Sequence, residues 1–176
     1  IYMIDTNMNV QFTGTITSNK SYYESVIDGE HIKNNKEGVF INLYAAFDVY
    51  FVNGKNVRNL PFVVSGSPNR LELLTDLKNN TNIAPINKTL KTSPLMIKVK
   101  EFHIINEATT IFRCCREILE RESKGGFEYN IDGIVVQYDE GINKSLEKNP
   151  ENAFAFKMDG EIKQVKVVGI EWNISK

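Results

Sequence analysis

Cysteine is scarce in this 176-residue chain, and the two present, Cys114 and Cys115, are adjacent. Neighbouring cysteines have poor geometry for an ordinary disulfide, and two thiols are too few for a structural zinc site; both are expected as reduced thiols in a helix, one of them buried. Histidine is equally rare: His31 and His103 show no ligand spacing and are expected as structural or surface residues. Net charge is almost absent, since 21 Lys and Arg against 22 Asp and Glu leave −1. That excludes a whole-molecule field for nucleic acid, so any phosphate contact needs a local basic patch or a metal ion. No apolar run approaches the roughly 20 residues of a membrane helix, and the N-terminus lacks the charged-then-apolar layout of a secretory signal. A non-membrane, intracellular protein is the expectation. The chain begins at Ile1 rather than at methionine, which leaves open a fragment or a stitched set of ordered segments.

What is present is enough for a folded domain. A 41% hydrophobic and 24% charged composition is ordinary for a globular chain of this length, which suits one domain or most of one. Residues 1–17, "IYMIDTNMNVQFTGTIT", read as two short strands around Asn7 and Asn9. "YESVIDGEHI" reads as a strand entering and leaving an Asp-Gly corner, and "VFINLYAAFDVYFVNGKNV" as a long apolar run broken by the hairpin signal Asn53-Gly54. In "SPNRLELLTDLKNN", Ser67 and Pro68 read as a helix start, Leu71, Leu74 and Leu77 as its apolar stripe, and Asn79-Asn80 as its end. Residues 80–94 read as a polar loop and "LMIKVKEFHII" as a strand. "NEATTIFRCCREILERESKGG" is the clearest helix, with Asn106 as candidate cap, Ile111, Cys115, Ile118 and Leu119 as its stripe, and Gly125-Gly126 as its stop. "YNIDGIVVQY", "AFAFKM" and "QVKVVGIEWNI" read as strands, with "GINKSLEKNPEN" a polar loop between the first two and Trp172 packing under a sheet. The expected class is α+β, mainly antiparallel sheets flanking a groove, with two or so helices.

Three acidic elements fall at strand ends: Asp28-Gly29-Glu30, Asp132-Gly133 and Asp159-Gly160. Each glycine permits a bend or a close approach, and each carboxylate can hold a divalent cation or a ribose hydroxyl. Taken singly, an Asp-Gly is most often a hairpin turn.

Taken in order, "SVIDGEHI", then "AAFDVYFVNGKNVRNLPF" with Arg70, then "YNIDGIVVQY" and "AFAFKM" resemble the motifs of the covalent nucleotidyltransferases, which include mRNA capping guanylyltransferases and DNA and RNA ligases. The resemblance runs over nearly the whole chain. It implies a nucleotidyltransferase (ATP-grasp-like ligase) domain over 1–166 that lacks its N-terminal first motif, followed by a strand at 167–176 leading toward an OB domain. It also implies a lysine that attacks the α-phosphate of a nucleoside triphosphate and holds the nucleotide before passing it to a nucleic-acid end, which calls for a divalent ion and a slot for the base. By position Glu30 serves the ribose or the metal, Phe47 stacks on the base, Asp132 helps hold Mg²⁺ or Mn²⁺, and Lys157 contacts the α-phosphate, with Asp48, Arg70 and Lys163 in support. On their own residues Phe47 reads as core and Arg70 as a solvated side chain.

The role of Lys157 stays open between phosphate-binding lysine, nucleophile of a circularly permuted domain, and neither. Lys157-Met158-Asp159-Gly160 looks like the family's first motif, K-x-D-G-x-R, but Ile162 stands where that motif has arginine, and Lys157 follows the fourth motif as the fifth-motif lysine does. The resemblance is closest to capping guanylyltransferases of large cytoplasmic DNA viruses or linear plasmids, an origin with which the Asn-, Lys- and Ile-rich composition agrees. It implies GTP as donor, the 5′ end of RNA as acceptor, further domains of the same polypeptide as partners, and a location in the cytoplasm or the virion. "AFAFKM" and "VKVVGIEWNIS" look more like ligases, NAD-dependent ones in particular, with ATP or NAD as donor and nicked nucleic acid as acceptor. A non-catalytic nucleotide-binding module is the third expectation.

Overall fold

The structure, a computed structural model, describes residues 1–63, 68–87, 94–139 and 153–157. The expectations for Ser67, Asp159-Gly160, Lys163 and Trp172, for the strand "QVKVVGIEWNI", for the 167–176 boundary and for the loop "GINKSLEKNPEN" lie outside the described residues. Among the described residues there are ten strands and two α-helices.

The chain opens on an antiparallel ribbon of β1 (Tyr2–Ile4) and β2 (Val10–Phe12). Its turn is organised by Asp5, whose Oδ1 accepts from the backbone N–H groups of Asn7 and Asn9, each at 2.9 Å. A third strand follows, β3 (Thr15–Thr17), paired antiparallel with β7 (Ile83–Pro85). The polar loop expected over 80–94 therefore contains a strand. Its partner makes it so: the Thr17 hydroxyl donates to the Thr81 carbonyl and Asn19 Nδ2 to the Asn80 carbonyl, laying this stretch along β3. Local composition carries no sign of such a long-range ladder.

The main sheet is built on β5 (Phe40–Val52). β4 (Val26–Asn34) runs antiparallel along one edge, while β6 (Lys55–Asn56), returning through Asn53-Gly54, and the parallel strand β8 (Met96–Val99) share the other. Asn53 and Gly54 have φ of 50° and 73°, as a two-residue hairpin of the mirror-image type requires. The Asp28-Gly29 corner is absent: β4 runs straight through it, and the irregularity lies in the partner strand. Between the pairs Asp28↔Asp48 and Gly29↔Ala46, β5 advances two residues while β4 advances one, and the same happens between Val26↔Phe51 and Ile27↔Val49. Phe47 and Tyr50 are the extra residues. Each such bulge resets which side of the strand faces the core, so Ala46, Val49 and Val52, three apart, all join Val57 and Leu74 in one cluster.

α1 (Arg70–Asn80) covers that cluster with Leu74 and Leu77. Its cap is Asn69 rather than Ser67 or Pro68: Asn69 Oδ1 accepts from the Glu72 N–H at 2.9 Å, and the Glu72 carboxylate reaches back to the Asn69 N–H, a reciprocal box. α2 (Ile111–Ser123) buries Cys115 and Leu119 as its stripe predicts, and burial pushes the Cys115 thiol pKa up. Asn106 does not cap it. The helix is entered through a 3₁₀ turn, Ala108–Thr110, without a side-chain cap. Gly125, at φ 80°, closes it, its N–H bonding the Glu122 carbonyl and that of Gly126 the Arg121 carbonyl.

β9 (Ile134–Gln137) and β10 (Ala153–Phe156) form a separate antiparallel ribbon. Asp139, just past β9, accepts from the backbone N–H groups of Phe62 and Val63, both at 2.9 Å, and so clips the ribbon to the loop between β6 and α1. Among the described residues no helix is long and apolar enough to cross a membrane.

Candidate functional site

Glu30 on β4 and Lys98 on β8 are both paired with Ala45 of β5. Residues opposite each other across a ladder project to the same face, as do residues two apart along a strand. The face opposite the α1 core therefore carries Glu30, Phe47, Lys98 and Lys100. Lys100 is fixed at its backbone, where its N–H bonds the Ala46 carbonyl at 2.8 Å. Its Nζ donates to Glu30 Oε2 at 2.9 Å and lies 5.4 Å from the centre of the Phe47 ring. Phe47, half-buried, is thus neither core nor fully exposed: it alternates away from Ala46, and the bulge it forms brings Val49 back to the core side.

The second half of the cluster comes from the β9–β10 ribbon. Asp132 precedes β9, Lys157 follows β10, and Lys157 Nζ donates to Asp132 Oδ2 at 3.0 Å. Gly133 makes the pair feasible. A Cβ there would come within 2.8 Å of Lys157 Cγ and 3.0 Å of the Phe156 carbonyl oxygen, so the missing side chain is the space the lysine stem occupies. The Asp132 carboxyl is held below the usual carboxylate range, first by the hydrogen bond from Lys157, then by the lysine's charge, with a smaller lowering from Lys100. With side chains 57% and 93% exposed, the Lys157–Asp132 pair contributes little to stability and is free to exchange partners.

Not every expected site residue joins this surface. Arg70 and Asp48 are buried against one another, Nε to Oδ1 at 2.8 Å and an Nη to Oδ2 at 3.3 Å, while another Nη donates to the Arg58 and Leu60 carbonyls. Arg70 is 1% exposed, so the solvated reading is corrected. Both side chains are committed to the β6–α1 loop, and any support they lend the site is through that scaffold. Asp28, first residue of the Asp-Gly-Glu, accepts from the Tyr50 hydroxyl at 2.6 Å and from the Gly29 N–H at 2.9 Å, and so is engaged with the second bulge residue. Burial, then Asp28, pushes the Tyr50 hydroxyl pKa up, and the same causes raise Tyr44 to about 12. Gly29 is required by packing: a Cβ would lie 2.5 Å from the Tyr44 ring and 2.8 Å from the Ala45 carbonyl oxygen. His31 bonds Asn42 and His103 pairs with Glu101.

Lys100 and Asp139 are the residues that motif reading passes over. The signal for Lys100 is modest: in "MIKVKE" the two lysines alternate along one face of a strand that turns out to lie beside β5. No signal announces Asp139, whose partners are 76 and 77 residues away. An open depression of about 450 Å³ runs along α1, lined by Leu71, Glu72, Thr75 and Asp76 among others, and contains none of the cluster.

Among the described residues no three His, Cys, Asp or Glu side chains group as a metal site. Two exposed carboxylates, Glu30 and Asp132, suit Mg²⁺ or Mn²⁺ only in the manner of ions that keep their waters and take one or two carboxylates together with substrate phosphates.

Over 59 residues, 33% of this chain, the sequence is 36% identical to "Putative DNA ligase 205R" of Invertebrate iridescent virus 6, and the match covers 10% of that protein. No family model matches the chain, and no solved structure matches it. The similarity falls on the ligase side of the resemblance and lends the capping side no support.

Proposed function

We propose that this chain is part of a ligase-type nucleotidyltransferase, in which Phe47, Glu30, Asp132 and Lys157 form the nucleotide site, working with Mg²⁺ or Mn²⁺ on ATP or NAD. The reading is carried by the Lys157–Asp132 pair over Gly133, which places a mobile cation and a carboxylate side by side at the mouth of one ribbon. The ligase similarity supports it over the capping reading.

In the reaction so proposed, a lysine amine attacks the α-phosphorus. A P–N bond forms, the P–O bond to pyrophosphate (from ATP) or to nicotinamide mononucleotide (from NAD) breaks, and the amine gives up a proton. Lys157, held on Asp132, suits the charge-holding part, drawing the α-phosphate oxygens. A carboxylate released by Lys157 is then available to the metal ion. Phe47 offers its face to the base and Glu30 its carboxylate to the ribose hydroxyls.

The test is to incubate the chain with labelled ATP, NAD or GTP and Mg²⁺ or Mn²⁺, measuring equilibrium binding and label that survives denaturing electrophoresis. Saturable binding of ATP or NAD that falls at least about tenfold in Asp132→Ala and Lys157→Ala is expected, the size of a lost charge-assisted contact. Preference for GTP would restore the capping reading; binding by none of the three would sink the proposal. Covalent label lost in Lys157→Ala would make Lys157 the nucleophile, and binding without label in the longer protein a binding module.

A further inference from the structure

The cluster holds more cationic partners than the proposed site uses, and Lys100 is the unassigned one. On one side its ammonium touches Glu30 and the Phe47 ring, and on the other its charge reaches Asp132. Its backbone is locked to Ala46, so only the flexible stem can move, and the side chain is one-third exposed. Each carboxylate of the site is matched to a lysine, Glu30 to Lys100 and Asp132 to Lys157. A ligand that sets an aromatic head on Phe47 meets the Lys100 ammonium beside that ring, and Glu30 Oε2 is engaged while Lys100 holds it.

We propose that Lys100 is an exchangeable counter-ion: it neutralises Glu30 in the free protein and passes to a phosphate of the incoming nucleotide, which releases Glu30 and uncovers the Phe47 ring. The proposal rests on the nucleotide-site reading above. It follows from competition for one ammonium, because a phosphate arriving beside Glu30 offers Lys100 a more highly charged partner, and the Glu30 carboxylate, on a side chain 61% exposed, can be met by water once Lys100 turns away. Strong selection for phosphorylated over unphosphorylated ligands is the consequence, since a nucleoside breaks the Lys100–Glu30 pair and offers no replacement anion.

The experiment is a calorimetric comparison of ATP and adenosine binding, with EDTA and with Mg²⁺, in the unaltered chain, Lys100→Met, Lys100→Arg and Glu30→Gln. Lys100→Met is expected to weaken ATP about tenfold and to leave adenosine binding unchanged or tighter, since no pair then has to be broken, collapsing the ratio between them, and Lys100→Arg is expected to keep most of it. Glu30→Gln is expected to bind ATP more tightly than the unaltered chain in EDTA, because Lys100 is already released, and to lose that advantage in Mg²⁺. Equal weakening of ATP and adenosine in Lys100→Met, or unchanged or weaker ATP binding in EDTA by Glu30→Gln, would overturn the exchange. If Lys100→Met fails to fold by circular dichroism, Glu30→Gln and Lys100→Arg carry the decision. If the unaltered chain binds no nucleotide at all, the reading of the site fails and the exchange with it, an outcome distinct from binding with no change on substitution.

Discussion

A single missing side chain does much of the positioning at this site. Gly133 lets the stem of Lys157 cross the ribbon, and a methyl group there meets Lys157 Cγ at 2.8 Å and the Phe156 carbonyl oxygen at 3.0 Å. Gly133→Ala is therefore expected to cost as much nucleotide affinity as Lys157→Ala while leaving the urea unfolding midpoint nearly unchanged, since the ribbon adds little to the core. Loss of the fold would instead show the glycine to be structural. In the sequence Asp132, Lys157 and Glu30 stood out through the ordered resemblance to nucleotidyltransferase motifs, since a single Asp-Gly or a lysine at a strand end marks nothing by itself. It left Lys100 unmarked, because its importance comes from lying next to Phe47 across a parallel pairing of β5 with β8 that alternation alone does not specify. Arg70 was misread for a related reason: at a helix start an arginine ordinarily faces water, and only the carboxylate of Asp48, 22 residues earlier, draws it inside.

At the scale of elements, the ribbon of β9 and β10 owes its place to Asp139, which receives two consecutive backbone N–H groups from the loop ahead of α1. Asn at this position keeps one acceptor oxygen and loses the charge, so Asp139→Asn is expected to speed amide hydrogen exchange at Phe62 and Val63 and to weaken nucleotide binding, with Asp132 and Lys157 chemically intact. Unaltered exchange at both amides would remove the clip from the account. The elements most legible in the sequence were those with strong local punctuation, the Asn53-Gly54 hairpin and the Gly125-Gly126 helix stop. β7 was lost because its partner is distant, the ladder with β3, and the cap Asn69 because Ser67 and Pro68 beside it compete for the same start although its box with Glu72 is local.

For the whole molecule, stability is concentrated where α1 meets the main sheet, and the Arg70–Asp48 pair lies inside that junction. Asp48→Ala leaves a guanidinium buried without its counter-charge, which costs about 3–5 kcal/mol, a large share of the roughly 5–15 kcal/mol that holds a typical domain folded. Chemical denaturation of the variant is the check, and a loss below about 1 kcal/mol would mean that water reaches Arg70. Next to this junction β5 serves two clients at once, the core on one side and the face carrying Glu30, Phe47 and Lys100 on the other. Two of the three surplus residues it carries against β4, Phe47 and Tyr50, act as phase shifters between them. One residue deleted between Ala46 and Val49 would leave composition and hydropathy almost untouched, yet it would send side chains meant for the surface into the interior and core side chains outward. Along this strand, then, substitutions are the tolerable currency of sequence drift and changes of length are not.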